Sequence, residues 1–137
     1  IREEVQHYAN NVLDAISDDI STALEVDSNN STILNTIDCT FLDSKGIEFT
    51  EVYEGSRHQG ILKNGLPLEI LRFNKIRKEY RLELIDFAFE SINNAPKNST
   101  FGLELVIDAI YNKNNKEIIE EFKFSRIIFA RSMFANT

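Results

Sequence analysis

Few side chains in this sequence could do covalent chemistry. There is one cysteine, Cys39, and there are two histidines, His7 and His58. Nucleophilic catalysis needs a Ser, Cys or Thr within reach of a base. His7 falls on the polar side of a helical pattern, where the ring is solvated, and His58 sits in Arg57-His58-Gln59 without a neighbour that marks a ligand. Cys39 could meet His58 in space, but it falls on the apolar face of a predicted strand, the usual position of a small buried hydrophobe. The adjacent carboxylates Asp18-Asp19 and Glu120-Glu121 point apart on a helix or a strand, so neither pair forms a site by itself. Five single glycines give no phosphate loop or dinucleotide fingerprint. The loops at Asp27/Asn29/Asn30 and Asn112 to Asn115 offer oxygen ligands with too few anions for a strong calcium site. One cysteine excludes an intramolecular disulfide and a multi-cysteine zinc site. The expectation is therefore no catalytic, no cofactor-binding and no metal-ligating residue, and no enzyme.

The charge balance bears on partners. With 15 basic and 22 acidic residues in 137, the net charge is −7, which disfavours nucleic acid and anionic membrane as primary partners. The basic cluster Arg72, Lys75, Arg77, Lys78 and Arg81 reads as a solvated loop, with an acidic partner surface as the alternative. Asn29, Asn30 and Asn98 head Asn-x-Ser/Thr triplets, which arise by chance in a chain with 14 asparagines. No apolar run is long enough to span a bilayer. A chain of this length is expected to form one domain, residues 1–137, and to bury roughly two thirds of its unfolded surface.

The elements that would position these residues follow from hydropathy period. Apolar residues from Ile1 to Val26 recur three and four apart, predicting a helix with one buried stripe over about residues 1–26. Asp19 interrupts that stripe, so it needs an Arg or backbone partner or a wet edge. Beyond the turn at Asp27 to Ser31, alternation predicts a strand at Thr32 to Leu42 with Ile33, Ile37, Cys39 and Phe41 on its inward face, and a second at Ile47 to Tyr53 with Ile47, Phe49, Glu51 and Tyr53 on one face. Asn64-Gly65 predicts a type I′ hairpin, and Pro67 confines the returning arm to an edge or to a ladder position that needs no donor. Tyr80 to Ile92 alternates Arg81, Glu83, Ile85, Phe87 and Phe89 with Leu82, Leu84, Asp86 and Ala88, which favours a strand, although its Ala, Leu and Glu would also support a helix. Phe101 to Tyr111 and Ile118 to Phe129 are expected as long strands joined by a turn at Asn112 to Lys116. The fold class is α+β: an N-terminal amphipathic helix packed on an antiparallel β-sheet meander spanning about residues 32–130.

This order of elements resembles the type IV pilin-like family, in particular minor pilins and the pseudopilins of type II secretion and competence machines. Asp19, Ile20 and Ala23 are similar to the family's Asp-Ile/Leu-x-x-Ala helix end. Gly46-Ile47-x-Phe49, Leu62-Lys63-Asn64-Gly65-Leu66 and Phe122-x-Phe124-x-x-x-Ile128-Phe129-x-Arg131 resemble its strands. The prepilin cleavage signature is absent, and Ser132 follows Arg131 where the family often has Asn. The resemblance implies a non-enzymatic structural subunit of a bacterial envelope filament or secretion or DNA-uptake machine. It would contact other pilin-like subunits through the N-terminal helix and the cytoplasmic membrane through a hydrophobic stalk upstream of the uncapped start at Ile1, with the domain on the extracytoplasmic side. No nucleic acid or small-molecule substrate is expected. The alternative is a small soluble ligand- or peptide-binding module of helix-on-sheet type.

Overall fold

The computed structural model describes residues 1–29, 34–68, 73, 79–92 and 99–132. Apolar side chains three and four apart produce the first element, α1 (Arg2–Thr22), whose Val5, Tyr8, Ala9, Val12, Leu13, Ile16 and Ile20 are all buried. No side chain caps its start; Val5 N–H donates to the Ile1 carbonyl, and Glu3 and Glu4 sit in the first turn, where negative charge suits the helix dipole.

The helix ends earlier than its hydropathy suggests. Ala23 is buried as expected but extended, with ψ 147°, and Leu24 N–H donates to the Thr40 carbonyl. Ser21 and Thr22 turn their hydroxyls back on the Asp18 carbonyl, a local bond that weakens a helix end. Residues expected in the last helical turn and the following turn instead form β1 (Glu25–Asn29), paired antiparallel with β2 (Thr36–Leu42). Leu24 and Val26 lie two apart, a spacing that serves a strand equally well, and the ladder to β2 decides between the two.

Next come β3 (Glu48–Ser56), β4 (Gly60–Lys63) and β5 (Leu66–Pro67), completing an antiparallel meander ordered β1-β2-β3-β4-β5. The Asn64-Gly65 turn has φ 53° and 81°, as a type I′ hairpin requires. Pro67 lies on the edge strand, where its missing N–H costs no ladder bond. A second antiparallel sheet holds β6 (Arg81–Ser91), β7 (Thr100–Lys113) and β8 (Lys116–Phe129) in that order. Its long hairpin turns on Asn114-Asn115 alone, both with positive φ, so the expected five-residue turn narrows to two residues.

The fold is α+β with the helix packed on sheet, and the strands divide into two sheets rather than one meander. A bulge in β6 between Leu84 and Asp86 shifts the alternation. Leu82 and Leu84 join Phe87 and Phe89 in the core, whereas Ile85 drops out of the expected face. At the bulge, Leu84 N–H donates to the Arg57 carbonyl of the β3–β4 turn. Asn35 N–H donates to the Phe87 carbonyl, and Leu34 bridges Phe87 in parallel. These contacts stitch the two sheets, and α1 covers the inner faces of both. The expected strand start at Thr32-Ile33, the basic residues Arg72, Lys75, Arg77 and Lys78, and the loop with Pro96 and Asn98 lie outside the described residues; Arg81 opens β6.

One contact fixes α1 against β4. The buried Tyr8 hydroxyl accepts the Ile61 N–H at 2.9 Å, and its ring packs on Phe73 with centroids 5.0 Å apart. Gly60 makes this approach possible: its φ is +79°, and a Cβ there would come within 2.3 Å of the Tyr8 hydroxyl oxygen. Gly60→Ala is expected to cost at least about 1 kcal/mol, and Ile16→Ala in the stripe roughly 2–5 kcal/mol. Both should appear in urea unfolding as lower midpoints at unchanged slope; an unmoved Gly60→Ala midpoint would mean that the Tyr8 contact does not constrain the fold.

Candidate functional site

The inner face of β2, β3 and β4 sets Tyr53 opposite Ile37 and Lys63 opposite Tyr53. Asp19 of α1 descends onto this pair. The Tyr53 hydroxyl donates to Asp19 Oδ2 at 2.6 Å, and Lys63 Nζ lies 3.1 Å from the same oxygen. Lys63 also stands over the Tyr53 ring, 5.5 Å from its centroid. The expected Arg or backbone partner of Asp19 is therefore a tyrosine hydroxyl and a lysine. Burial, the bond to Asp19 and the nearby negative charges all raise the Tyr53 pKa. A phenol held this firmly in its protonated form serves as a donor that anchors the helix.

Cys39 lies beside this cluster, buried as a free thiol. Burial pushes its pKa up to about 12, with Asp19 and Asp38 adding to the rise, so the nucleophilic thiolate is suppressed. His7 and His58 are both exposed. Cys39 pairs with Glu51, and the turn holding His58 begins beyond Ser56 of the same strand, about 16 Å away at the rise of a strand. The structure does not bring the thiol and the imidazole together. Asp18 is exposed while Asp19 turns inward, and Glu120 and Glu121 lie on opposite faces of β8.

A row of carboxylates crosses the outer face of the second sheet, formed by Glu83, Asp108 and Glu121 on neighbouring strands. Sequence reading missed it because the β6 bulge sets its register. The buried Glu83 binds Arg57 Nη2 at 3.2 Å, and Glu121 has Lys123 Nζ at 3.6 Å. Asp108 between them has a buried Oδ1 without a hydrogen-bond partner. Burial is the main cause that raises its pKa; Glu121 and Glu83 add to it and Arg57 opposes it. Among the described residues, no group of three or more His, Cys, Asp or Glu side chains could hold a metal ion. Asp27 and Asn29, weighed as calcium ligands on sequence grounds, are strand residues opposite Asp38 and Thr36, and Asn114 and Asn115 form the tight β7–β8 turn.

The described surface offers open grooves. One, of about 630 Å³, runs over the outer face of the second sheet between Glu90, Glu104, Ser125 and Ile127. Compared with family models, curated proteins and solved structures, the chain matches none.

Two outcomes follow from these environments. Cys39 should resist a thiol-specific chromogenic reagent at about pH 8 in the native protein and react at once in denaturant; rapid native labelling would contradict its burial. Because the folded state holds the Asp108 proton more tightly than the unfolded chain, this group's contribution to stability falls as pH rises through the carboxylate range. Asp108→Asn should therefore gain thermal stability over the native sequence progressively between about pH 3 and about pH 7; a pH-independent difference would contradict the assignment.

Proposed function

We propose that this domain works by assembly rather than catalysis, as a pilin-like structural subunit, a minor pilin or pseudopilin, of a bacterial envelope filament or of a secretion or DNA-uptake machine. The observation that carries the reading is the mounting of α1. Its apolar stripe is sealed on the sheets from Val5 to Ile20, while Glu3, Gln6, His7, Asn10, Asp14 and Asp18 face outward. A helix held this way is a rigid base from which a further segment can project.

The described thiol and imidazole groups stand apart, and in the one carboxylate row the outer members bind Arg57 and Lys123 while no further nucleophile or base faces Asp108 among the described residues, which supports a non-enzymatic role. No described helix is long and apolar enough to cross a membrane; in this reading a hydrophobic stalk joined to α1 supplies the anchor and the contacts to other pilin-like subunits. The domain then sits on the extracytoplasmic side of the cytoplasmic membrane. The groove over Glu90, Glu104, Ser125 and Ile127 favours the second reading, a small peptide-binding module.

The test is expression of the gene product from its natural start codon in a bacterium with a prepilin peptidase. The expected outcome is a membrane-associated protein shortened by the peptidase, with a filament or secretion defect on deletion. A soluble, unprocessed product would reject the pilin-like assignment in favour of the binding module.

A further inference from the structure

Strand β8 is the outer strand of its sheet. Among the described residues it pairs with β7 alone, so over its 14 residues one set of backbone N–H and C=O groups points away from the domain. Such an edge is a template for another strand, and proteins commonly blunt it with proline, a bulge or a short strand. β8 has none of these, and its blunting is left to charge, Glu120 and Arg126 on the inner face and Lys123 on the outer. Its solvent face instead carries Ile119, Ile127 and Phe129, exposed to 58, 73 and 46%.

The sequence of β8 says what could occupy the edge. Ile118-Ile119-Glu120-Glu121-Phe122-Lys123-Phe124-Ser125-Arg126-Ile127-Ile128 reads almost alike from either end. Place a second copy antiparallel about a two-fold axis through Lys123. Ile118 then faces Ile128, Ile119 faces Ile127, Phe122 faces Phe124, and Glu121 faces Ser125. Glu120 faces Arg126, so the one charge reversal in the palindrome becomes an ion pair, made twice. Every pair joins residues on the same face of the sheet, as an antiparallel ladder demands. Neighbouring registers lose this match: an axis through Phe122 sets Ile118 against Arg126, and one through Phe124 sets Glu120 against Ile128.

We propose that β8 is a self-association edge, on which two copies of this chain pair β8 to β8 about Lys123 and join their three-stranded sheets into one of six strands. The paired segment is 11 residues by this count, roughly 37 Å of ladder. The two Lys123 side chains meet at the axis, a like-charge opposition that works against the pair, and each lies diagonal to Glu121 of the other copy, within the reach of long side chains, which offsets it. Arg126 already pairs with Asp14 of its own chain, and its five donors leave some for Glu120 across the axis. On the inner face, Leu105 and Ile107 of β7 are fully buried, whereas Ile118 and Phe124 of β8 remain half-buried. Ile118 and Phe124 thus keep apolar surface at the edge that a second copy can cover. The surface is distinct from α1 and does not depend on the envelope assignment.

Sedimentation equilibrium over a concentration series should show a monomer–dimer equilibrium. Arg126→Glu should raise the dissociation constant at least about tenfold by opposing two carboxylates twice per dimer, and adding Glu120→Arg should restore dimerisation. Lys123→Cys should form an intermolecular disulfide under mild oxidation. Ser125→Cys should not, because its two copies lie four residues apart in this register, about 13 Å. A protein monomeric at every concentration overturns the proposal. So does cross-linking at position 125 as efficient as at 123, or failure of the charge-swapped variant to dimerise while its circular dichroism shows it folded.

Discussion

One helix has to close two sheets. The five-stranded and three-stranded sheets share no continuous ladder, and their inner faces would both lie open without the stripe from Val5 to Ile20. At roughly 25 cal/mol per Å² of apolar surface removed from water, the burial of Tyr8, Leu13, Ile16 and Ile20 against Ile37, Tyr53, Phe87, Leu105 and Ile107 does most to hold the halves together. Polar contacts orient that burial. Tyr8 accepts the Ile61 N–H, Asp19 receives Tyr53 and Lys63, and Asp14 receives Arg126. Together they tie α1 to β3, β4 and β8, so the helix cannot slide or turn on its stripe without breaking one of them.

The junction between the sheets uses a different device. The bulge at Leu84/Asp86 keeps Leu82, Leu84, Phe87 and Phe89 on the core side although their sequence spacing changes parity. It also releases a backbone donor for the β3–β4 turn. The same shift brings Glu83 into line with Asp108 and Glu121 on the outer face. Arg57 and Lys123 neutralise the two ends of that row, and the central carboxylate carries the electrostatic cost.

Period-based reading of the chain found the helix, the two hairpin turns, the edge position open to Pro67, the parity of β2 and β3 and the two long strands β7 and β8, because each is a local property of neighbouring residues. It overran the helix into Glu25 and Val26, where Leu24 and Val26 suit either period and only the pairing with β2 separates them. It put Ile85 on one face with Phe87 and Phe89 because a bulge adds a residue without leaving a compositional trace. Asp19 stood out as an interruption in an apolar stripe, but its partners lie 34 residues or more away in the chain. Tyr53 was legible as an inward residue; that its hydroxyl would meet Asp19 depends on how α1 crosses the sheet, which no spacing encodes. The carboxylate row was illegible for the same reason, since its register is tertiary.

Because α1 precedes every described strand, synthesis sets an order of events. Its stripe is complete once Thr22 has been made, yet the strands against which Asp14 and Arg2 settle end only at Phe129. At about 5–20 residues per second, the ribosome leaves this apolar surface without its final cover for roughly 5–20 seconds. The first sheet can hold the helix provisionally during that time through Tyr8 and Ile61. The hairpin β7–β8, closed by a two-residue turn, then forms locally and swings in last. The nascent chain is therefore most exposed to holdase chaperones in the interval between the two sheets, and the C-terminal hairpin acts as the latch that ends it.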